Sequence, residues 1–461
     1  MTRLITVSNR VGVPTTGAAV RAGGLEAALR EALEADGGIW FGWSGEVTPE
    51  RSESPIMLKK GKVTFATVNL NPTDYQEYYL GYANRTLWPL LHSHLGLVEF
   101  HRSQLRGYIA VNEYLAKMLA PMIEPDDLIW VHDYHLIPLA DELRKLGIKN
   151  RIGFFLHTPL PPTDILVALP HHDLIMQAFC AYDLIGLQTE NGVRAFLDYI
   201  AREANGRLEF DGSLSAYGRL TRVIAFPIGI DTQGFADMAT RALRTAETRK
   251  LRNSLDSRKL IVGVDRLDYS KGVRNRFEAI DELLSEWPEE AGHFTYLQIS
   301  PPSRSDVESY QALRREVEGV LGHVNGKYSD VDWAPIRFVV RPVSRTALAG
   351  IFRSSRVGLV TPLRDGMNLV AKEYVASQDP EDPGVLVLSR FAGAAAELKT
   401  ALLVNPLDPS EIGAAIHQAL KMGLSERRER WTLMMDVLRG NTIDDWSANF
   451  LKALKSTRPL D

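Results

Sequence analysis

Two carboxylates in one short stretch define the chemistry this chain can attempt. In Arg364-Asp365-Gly366-Met367-Asn368-Leu369-Val370-Ala371-Lys372-Glu373-Tyr374, Asp365 falls in a loop and Glu373 on the second turn of the helix expected after it. An eight-residue spacing lets the two acids reach different parts of one ligand. The stretch follows an apolar run, Val357–Leu363, that reads as a buried strand. Gly366 allows a tight turn, and Asn368 is a good N-cap for a helix carrying Leu369, Val370 and Tyr374. Strand, carboxylate loop and helix N-terminus together are how parallel α/β sheets present an anion site, because first-turn N–H groups have no intrahelical partner.

Cations fall at matching places. Arg266 and Lys271 follow the apolar run Lys259–Val264, Arg304 follows the run ending at Ile299, and Arg10 follows Leu4–Val7. Four basic groups beyond strand C-termini, drawn from both halves of the chain, suit the binding of two phosphorylated ligands. Arginine offers a bidentate grip on phosphate and lysine a point charge. The pair Gly23-Gly24, opening a helix after the first strand, lets backbone approach a phosphate or sugar closely, although it is not a full G-x-G-x-x-G and an ordinary turn has the same composition.

Other chemistries find less support. His132-x-x-His135 with Asp133 offers metal-ligand types, but there is no H-E-x-x-H helix pattern. Asp330-Val-Asp332 matches the D-x-D of many metal-dependent sugar transferases, yet it lies in the polar loop Lys327–Asp332 and reads as turn chemistry. Trp43-Ser44-Gly45 is half of a hydrolase elbow without the rest of G-x-S-x-G, and no G-x-x-x-x-G-K-[ST] loop is present. Neither a metal nor an organic cofactor is expected.

The elements that must hold these residues alternate between strand and helix. Leu4–Val7, Ile39–Trp43, Val63–Leu70, Leu128–Val131, 151–156 and 184–187 read as strands, with Val63–Leu70 alternating like a half-exposed one. The runs beginning at Leu128, Arg151 and Leu184 end in polar residues at their C-termini, where open parallel sheets bind ligands. Tyr79 and Trp88 lie in an aromatic-rich segment that can be core or can donate to sugars and phosphates. Residues 108–122 carry a helical face of Ile109, Val111, Leu115, Met118, Leu119 and Met122. Val223–Asp231 reads as a boundary, and a second α/β run follows with strands at 259–264, 294–299, 336–340, 357–363, 385–388 and 402–404. A tail helix near 443–455 places Trp446, Phe450 and Leu454 on one face, so it docks on something. The expectation is a doubly wound α/β protein with domains at 1–230 and 231–440 and a tail at 441–461.

Composition agrees with an ordinary enzyme. Of 461 residues, 53 are Lys or Arg against 57 Asp or Glu, a net −4 that points to no nucleic acid and no anionic membrane. The single cysteine, Cys180, excludes an internal disulfide and reads as core. The first nine residues run straight into strand-like sequence with no signal-peptide layout, and no apolar run approaches spanning length, so a cytosolic protein is expected.

Taken together, Ser8-Asn9-Arg10, Ala22-Gly-Gly-Leu25, Trp40–Gly45, Trp130-Val-His-Asp-Tyr-His135, Phe154–His157, Arg266–Gly272 and Arg364–Tyr374 resemble the trehalose-6-phosphate synthase family. The similarity runs in order from about residue 3 to about residue 454. It implies a retaining glycosyltransferase of GT-B fold: two Rossmann-like domains facing a cleft, acceptor on the first and nucleotide sugar on the second, with the C-terminal helix crossing back to the first.

Roles follow from the resemblance. On the donor side it implies Gly23 and Gly24 approaching the nucleotide sugar, Arg266 and Lys271 on the diphosphate, and Leu369, Val370, Ala371, Lys372 and Glu373 lining diphosphate and ribose. Asp365 and His157 are implied at the transferred glucosyl group and Val343 at the base, where some relatives carry an aromatic. For the acceptor it implies Arg10, Tyr79, Trp88 and Arg304 on the 6-phosphate of glucose 6-phosphate and Asp133 on its hydroxyls. Catalysis would rest on Arg266, Lys271, His157 and Asp133, with UDP-glucose as donor and a homo-oligomer, dimer or tetramer, as the working form. GDP- or ADP-glucose as donor, glycerol 3-phosphate as acceptor, a non-catalytic regulatory subunit and a PLP-dependent phosphorylase of the same fold are the alternatives. No residue's context demands the role of a carboxylate nucleophile against the anomeric carbon.

Overall fold

The computed structural model describes residues 3–13, 33, 37–302 and 308–458. Gly23, Gly24 and Arg304, and the helix expected to open at Gly23, lie outside the described residues. By contact the chain forms two compact units, one running to Pro227 and resuming at Asp444, the other spanning Ile228–Ile443.

The first unit is built on a ten-stranded sheet. Its strands are β1 (Leu4–Arg10), β2 (Gly38–Val47), β3 (Ile56–Lys60), β4 (Val63–Leu70), β5 (Leu128–His132), β6 (Ile152–Phe155), β7 (Leu184–Leu187), β8 (Arg207–Leu208), β9 (Leu214–Ala216) and β10 (Arg219–Ala225). They lie in the order β3-β4-β2-β1-β5-β6-β7-β10-β9-β8. The pairs from β4 through β10 are parallel, while β3 and the β9–β8 hairpin are antiparallel additions at the two edges. Those additions are short or fully exposed, so their sequences lack the apolar signal that reveals the central strands.

Two expectations change here. Strand β4 is not half-exposed: only Thr64 and Asn69 stay partly accessible. Its polar residues are short, and Asn69 Oδ1 accepts from Ser44 Oγ at 2.6 Å, which offsets the cost of covering it. Strand β1 does not close at Ser8 but runs on to Arg10 through a register shift against β2. An extra residue at that point turns the strand end, and with it the direction of Arg10.

The terminal helix, Ile443–Lys455, buries Trp446, Phe450 and Leu454 as its periodicity demands. Phe450 stacks on Trp130 at 4.6 Å between centroids, and Trp446 meets Phe155 edge-on at 5.0 Å. Room for Phe450 exists because the strands beneath carry glycine: a Cβ at Gly153 or at Gly186 would stand 2.8 Å from its ring. Gly153→Val is therefore expected to lower stability by about 1–3 kcal/mol through overpacking, read from chemical unfolding.

The second unit has six parallel strands: β11 (Lys259–Val264), β12 (Phe294–Ile299), β13 (Ile336–Val339), β14 (Val357–Val360), β15 (Val385–Ser389) and β16 (Leu402–Val404). Their order is β13-β12-β11-β14-β15-β16. The chain moves one way from β11 to β13 and then returns to place β14 on the other side of β11. This reversal opens a crevice beyond the C-terminal ends of β11 and β14, the place where such sheets bind ligands. Phe277, Tyr296, Val317, Leu359 and Ile416 belong to the core around this sheet. Strand β14 ends three residues before the expected Leu363. Thr361 is buried, and its hydroxyl accepts from Arg276 Nε at 3.0 Å rather than continuing a ladder.

Candidate active site

The loop after β11 is held by its own side chains. Asp268 Oδ1 accepts from Ser270 N at 2.9 Å and from Ser270 Oγ at 2.8 Å, and its Oδ2 accepts from Tyr310 at 2.7 Å. Gly272 then turns the chain at φ +66° into the helix Val273–Glu286, where a side chain would strike the Thr361 carbonyl. Arg266 is exposed on this loop and makes no ion pair with any described residue. Lys271 is mostly buried, and its Nζ lies 2.5 Å from Asp365 Oδ2. The loops after β11 and β14 are also stitched by Leu363 N donating to Ser270 O at 2.7 Å. Cation and carboxylate, remote in sequence, thus sit together at the reversal of strand order.

Arg276 was not among the candidates, and it proves central to this geometry. It is fully buried and forms an ion pair with Asp265 at 2.7 Å. It also donates to Gln298 Oε1 at 3.2 Å and to the Lys271 carbonyl at 2.9 Å. The guanidinium thereby ties the end of β11, the end of β14 and the Lys271 loop together. Burial pushes the Asp265 carboxyl above its ordinary range, and Arg276 and Lys271 pull it back. The legible signal was position: Arg276 shares a helix face with Val273, Phe277 and Ile280, where a solvated arginine does not belong.

The Asp365–Glu373 stretch folds with Asn368 as its pivot. Asn368 adopts φ +77°, accepts from Ala371 N at 3.3 Å and donates to Asp365 Oδ2 at 3.0 Å. Its amide thus caps the helix Leu369–Ser377 and orients the carboxylate. Left-handed backbone falls on this asparagine and not on Gly366, as the turn chemistry had suggested; asparagine tolerates it because its side chain bonds locally. Leu369 and Val370 stay partly accessible in the first turn.

Two residues of the helix bury their side chains. The Lys372 side chain is fully buried, its Nζ 2.7 Å from the Ile228 carbonyl and 2.6 Å from Glu397 Oε2, so it cannot reach a ligand. Ala371 is buried and its N–H is already capped. The resemblance implied Lys372 beside the diphosphate and ribose; its helix phase turns the side chain inward, where burial lowers its pKa against the pull of Glu397. Glu373 is half-buried, and burial pushes its carboxyl up to about 7, with Arg345 drawing it down. Val343 is partly accessible just before Ser344, which caps the helix Arg345–Arg353.

In the first unit the candidates cluster around aromatic rings. The Arg10 guanidinium lies 5.6 Å from the Trp43 ring centroid, Trp43 meets Tyr79 at 5.3 Å, and Tyr79 stacks on His135 at 5.9 Å. Tyr79 is carried by a wide, π-type helix, Tyr75–Leu87, where Asn84 Nδ2 donates back to the Tyr79 carbonyl at 2.7 Å. A side chain inserted in the ladder in this way widens the turn. Trp88 is only 6% exposed and packs on Tyr134 and His92, so it can offer a ligand no more than its rim.

Asp133 ends β5 at φ +74°, ψ 163°, a conformation costly for a residue with a side chain. Asp133 Oδ1 accepts from His157 N at 3.3 Å, which brings both candidates to the ends of neighbouring strands. The His157 ring contacts His132 across 3.2 Å, and burial pushes its pKa to about 3. His132 faces His157 while His135 lies between Tyr79 and Tyr134, so the pair in His132-x-x-His135 does not converge. Among the described residues no group of three or more His, Cys, Asp or Glu is placed to hold a metal ion. Asp332 pairs with Arg258 at 2.6 Å, and Asp330 accepts from Val331 N.

Known proteins match the chain along its whole length. A curated trehalose-6-phosphate synthase of Sinorhizobium fredii is 51% identical over 459 residues, covering 99% of each chain. An α,α-trehalose-phosphate synthase (UDP-forming) of Burkholderia xenovorans, solved in complex with glucose-6-phosphate, is 48% identical with a TM-score of 0.94, covering 98% of this chain and 100% of its own. An E. coli structure described as bound with UDP-2-fluoro glucose is 47% identical with a TM-score of 0.95, covering 100% of each. The family model for glycosyltransferase family 20 matches residues 5–456, a span that takes in both sheets and the terminal helix: the chain belongs to that family.

Proposed function

We propose that the chain transfers the glucosyl group of UDP-glucose to the 1-hydroxyl of glucose 6-phosphate, with retention, giving α,α-trehalose 6-phosphate and UDP. The observation that carries this reading is near-half identity over the full length to proteins named for that synthesis, one solved with the acceptor and one with a donor analogue.

The second unit, a Rossmann-like sheet in this reading, holds the donor. Arg266 and Lys271 grip the diphosphate, the Leu369 and Val370 amides meet its oxygens, Glu373 accepts from ribose hydroxyls, and Val343 meets the base through backbone. Gly23 and Gly24, outside the described residues, approach the nucleotide sugar in this reading only as the resemblance implies. Asp365, oriented by Asn368, faces the glucosyl group, as does His157. In the first unit Arg10 and Tyr79, with the rim of Trp88 and with Arg304, hold the 6-phosphate, and Asp133 takes sugar hydroxyls.

Bond making and breaking occur on one face of the sugar. The bond from C1 to the β-phosphate oxygen breaks, the acceptor oxygen bonds to C1, and its proton passes to the departing phosphate oxygen. Arg266, Lys271 and the helix N-terminus stabilise the negative charge that grows on the diphosphate.

Donor binding should depend on pH through Glu373. Its folded pKa, about 7, lies above the usual carboxylate value, so its contribution to stability is complete below the ordinary range and is lost as pH rises through 7. A ribose that donates to the carboxylate selects the ionised form. UDP-glucose affinity should therefore weaken by up to about tenfold per pH unit below 7, and Glu373→Gln should flatten the profile. Titration calorimetry from pH 5 to 8, roughly the window that pKa defines, checks this; affinity that rises on acidification would contradict the role.

The deciding experiment offers UDP-, GDP- and ADP-glucose with glucose 6-phosphate and identifies product by mass and linkage. Preference for UDP-glucose, an α,α-1,1 product and undiminished rate in EDTA are expected; absence of that product refutes the reading. A cytoplasmic location and a homo-oligomer complete it. No described helix is long and apolar enough to cross a membrane, and light scattering tests the oligomer.

A further inference from the structure

The geometry points to His132 as a positioning residue that holds His157 in the tautomer with its proton on Nδ1, so that His157 meets the glucosyl group as a hydrogen-bond donor and not as a base. This rests on His157 facing the donor sugar, as proposed above.

His132 is completely buried at the end of β5. Its ring lies against Trp130 at 4.6 Å, Trp446 at 6.4 Å and His157 at 5.4 Å between centroids. Within this aromatic enclosure its one hydrogen bond to a described residue joins Nδ1 to His157 Nε2, at 3.2 Å. Its other nitrogen, Nε2, is buried with no hydrogen-bond partner among the described residues.

A single proton must lie between the two rings, and the orphaned Nε2 decides whose it is. Suppose His157 donates from Nε2. His132 then carries its own proton on Nε2, a buried N–H with no acceptor among the described residues, and folded proteins leave few of these. Suppose instead that His132 donates from Nδ1. Its Nε2 is then a bare lone pair among aromatic rings, the milder of the two faults. Protonating both rings would set two cations 3.2 Å apart in a dry site. Burial holds both imidazoles neutral, His132 well below its usual range and His157 near 3.

With Nε2 accepting from His132, the His157 proton sits on Nδ1, as the partner of one ring nitrogen dictates the state of the other. Nδ1 has no partner among the described residues. His157 therefore gives a hydrogen bond to a sugar oxygen and has no free lone pair with which to take a proton. The transfer step must find its base elsewhere, in agreement with a proton moving to the departing phosphate.

The test is long-range ¹H–¹⁵N correlation on the full chain labelled with ¹⁵N-histidine, His132 and His157 being assigned by loss of signal in single variants. Both rings are expected neutral and protonated on Nδ1. In His132→Phe the His157 proton should redistribute toward Nε2, and kcat/KM for UDP-glucose should fall about tenfold, the worth of one hydrogen bond. Affinity for UDP, which lacks the glucosyl group, should not change. His132→Asn, whose amide N–H can replace Nδ1–H, should restore both tautomer and rate. A proton on His157 Nε2 in the unaltered chain overturns the inference even if His132→Phe fails to fold, and so does a His132→Phe variant with unchanged tautomer and rate. Should the chain make no trehalose phosphate while the Nδ1–H tautomer is found, the functional reading falls and the role of His132 stands.

Discussion

Lys271→Ala is expected to lower kcat by about 10²–10³, the usual effect of removing a donor aimed at charge that develops in the transition state. The geometry gives the reason. Lys271 Nζ is nearly enclosed, 2.5 Å from Asp365, at the reversal of strand order where an anionic ligand is expected. With little water around it, its charge is screened less than that of a surface lysine. Lys271→Arg keeps the charge but cannot place a planar guanidinium in a slot shaped for an ammonium, so it should recover only part of the rate. Affinity for glucose 6-phosphate should hardly change. Steady-state kinetics with both substrates varied checks this, and turnover within a few-fold of the parent would remove Lys271 from the leaving-group role.

Asp265→Ala is expected to destabilise the second unit by about 3–5 kcal/mol, because it leaves Arg276 buried with an uncompensated charge. Arg276 would keep its bonds to Thr361, Gln298 and the Lys271 carbonyl, yet none of these is an anion. Chemical unfolding followed by circular dichroism measures the loss. The double variant Asp265→Ala/Arg276→Met should regain most of it, since removing both charges abolishes the desolvation cost that one alone incurs. What the double variant should not regain is donor binding: without the guanidinium the Lys271 carbonyl loses the side chain that fixes it to the ends of β11 and β14. Recovery of both stability and UDP-glucose affinity would reduce Arg276 to a filler of space.

The parts of the site that could be read in advance were those with a local signature. Asn368 announces a cap by its type and its place before Leu369, and it does cap Ala371. Arg266 and Lys271 announce themselves by standing just past β11. Their neighbours were harder. Lys372 and Arg276 are both basic residues on helices beside the site, and sequence favoured the first as a ligand while passing over the second. Both are buried, and neither can extend a charge toward a ligand. Lys372 meets Ile228 and Glu397, and Arg276 meets Asp265, partners 144, 25 and 11 residues away that no local window connects.

Alternating apolar runs and helical periods by themselves determined the central strands of both units, the terminal helix and its apolar face, because those signals record what each element buries. The same local chemistry placed Asp365, Arg266, Lys271, Asp133 and His157 beyond strand ends and Glu373 on the helix that follows Asp365. Only the tertiary structure decided which of these side chains meet. It set Lys271 against Asp365, strained Asp133 into a left-handed conformation beside His157, slid Phe450 over Gly153 and Gly186, and left His132 with a single hydrogen-bond partner among the described residues. The physical reason is that a side chain's charge state, tautomer and reach depend on who shares its burial, and that company is assembled from across the chain.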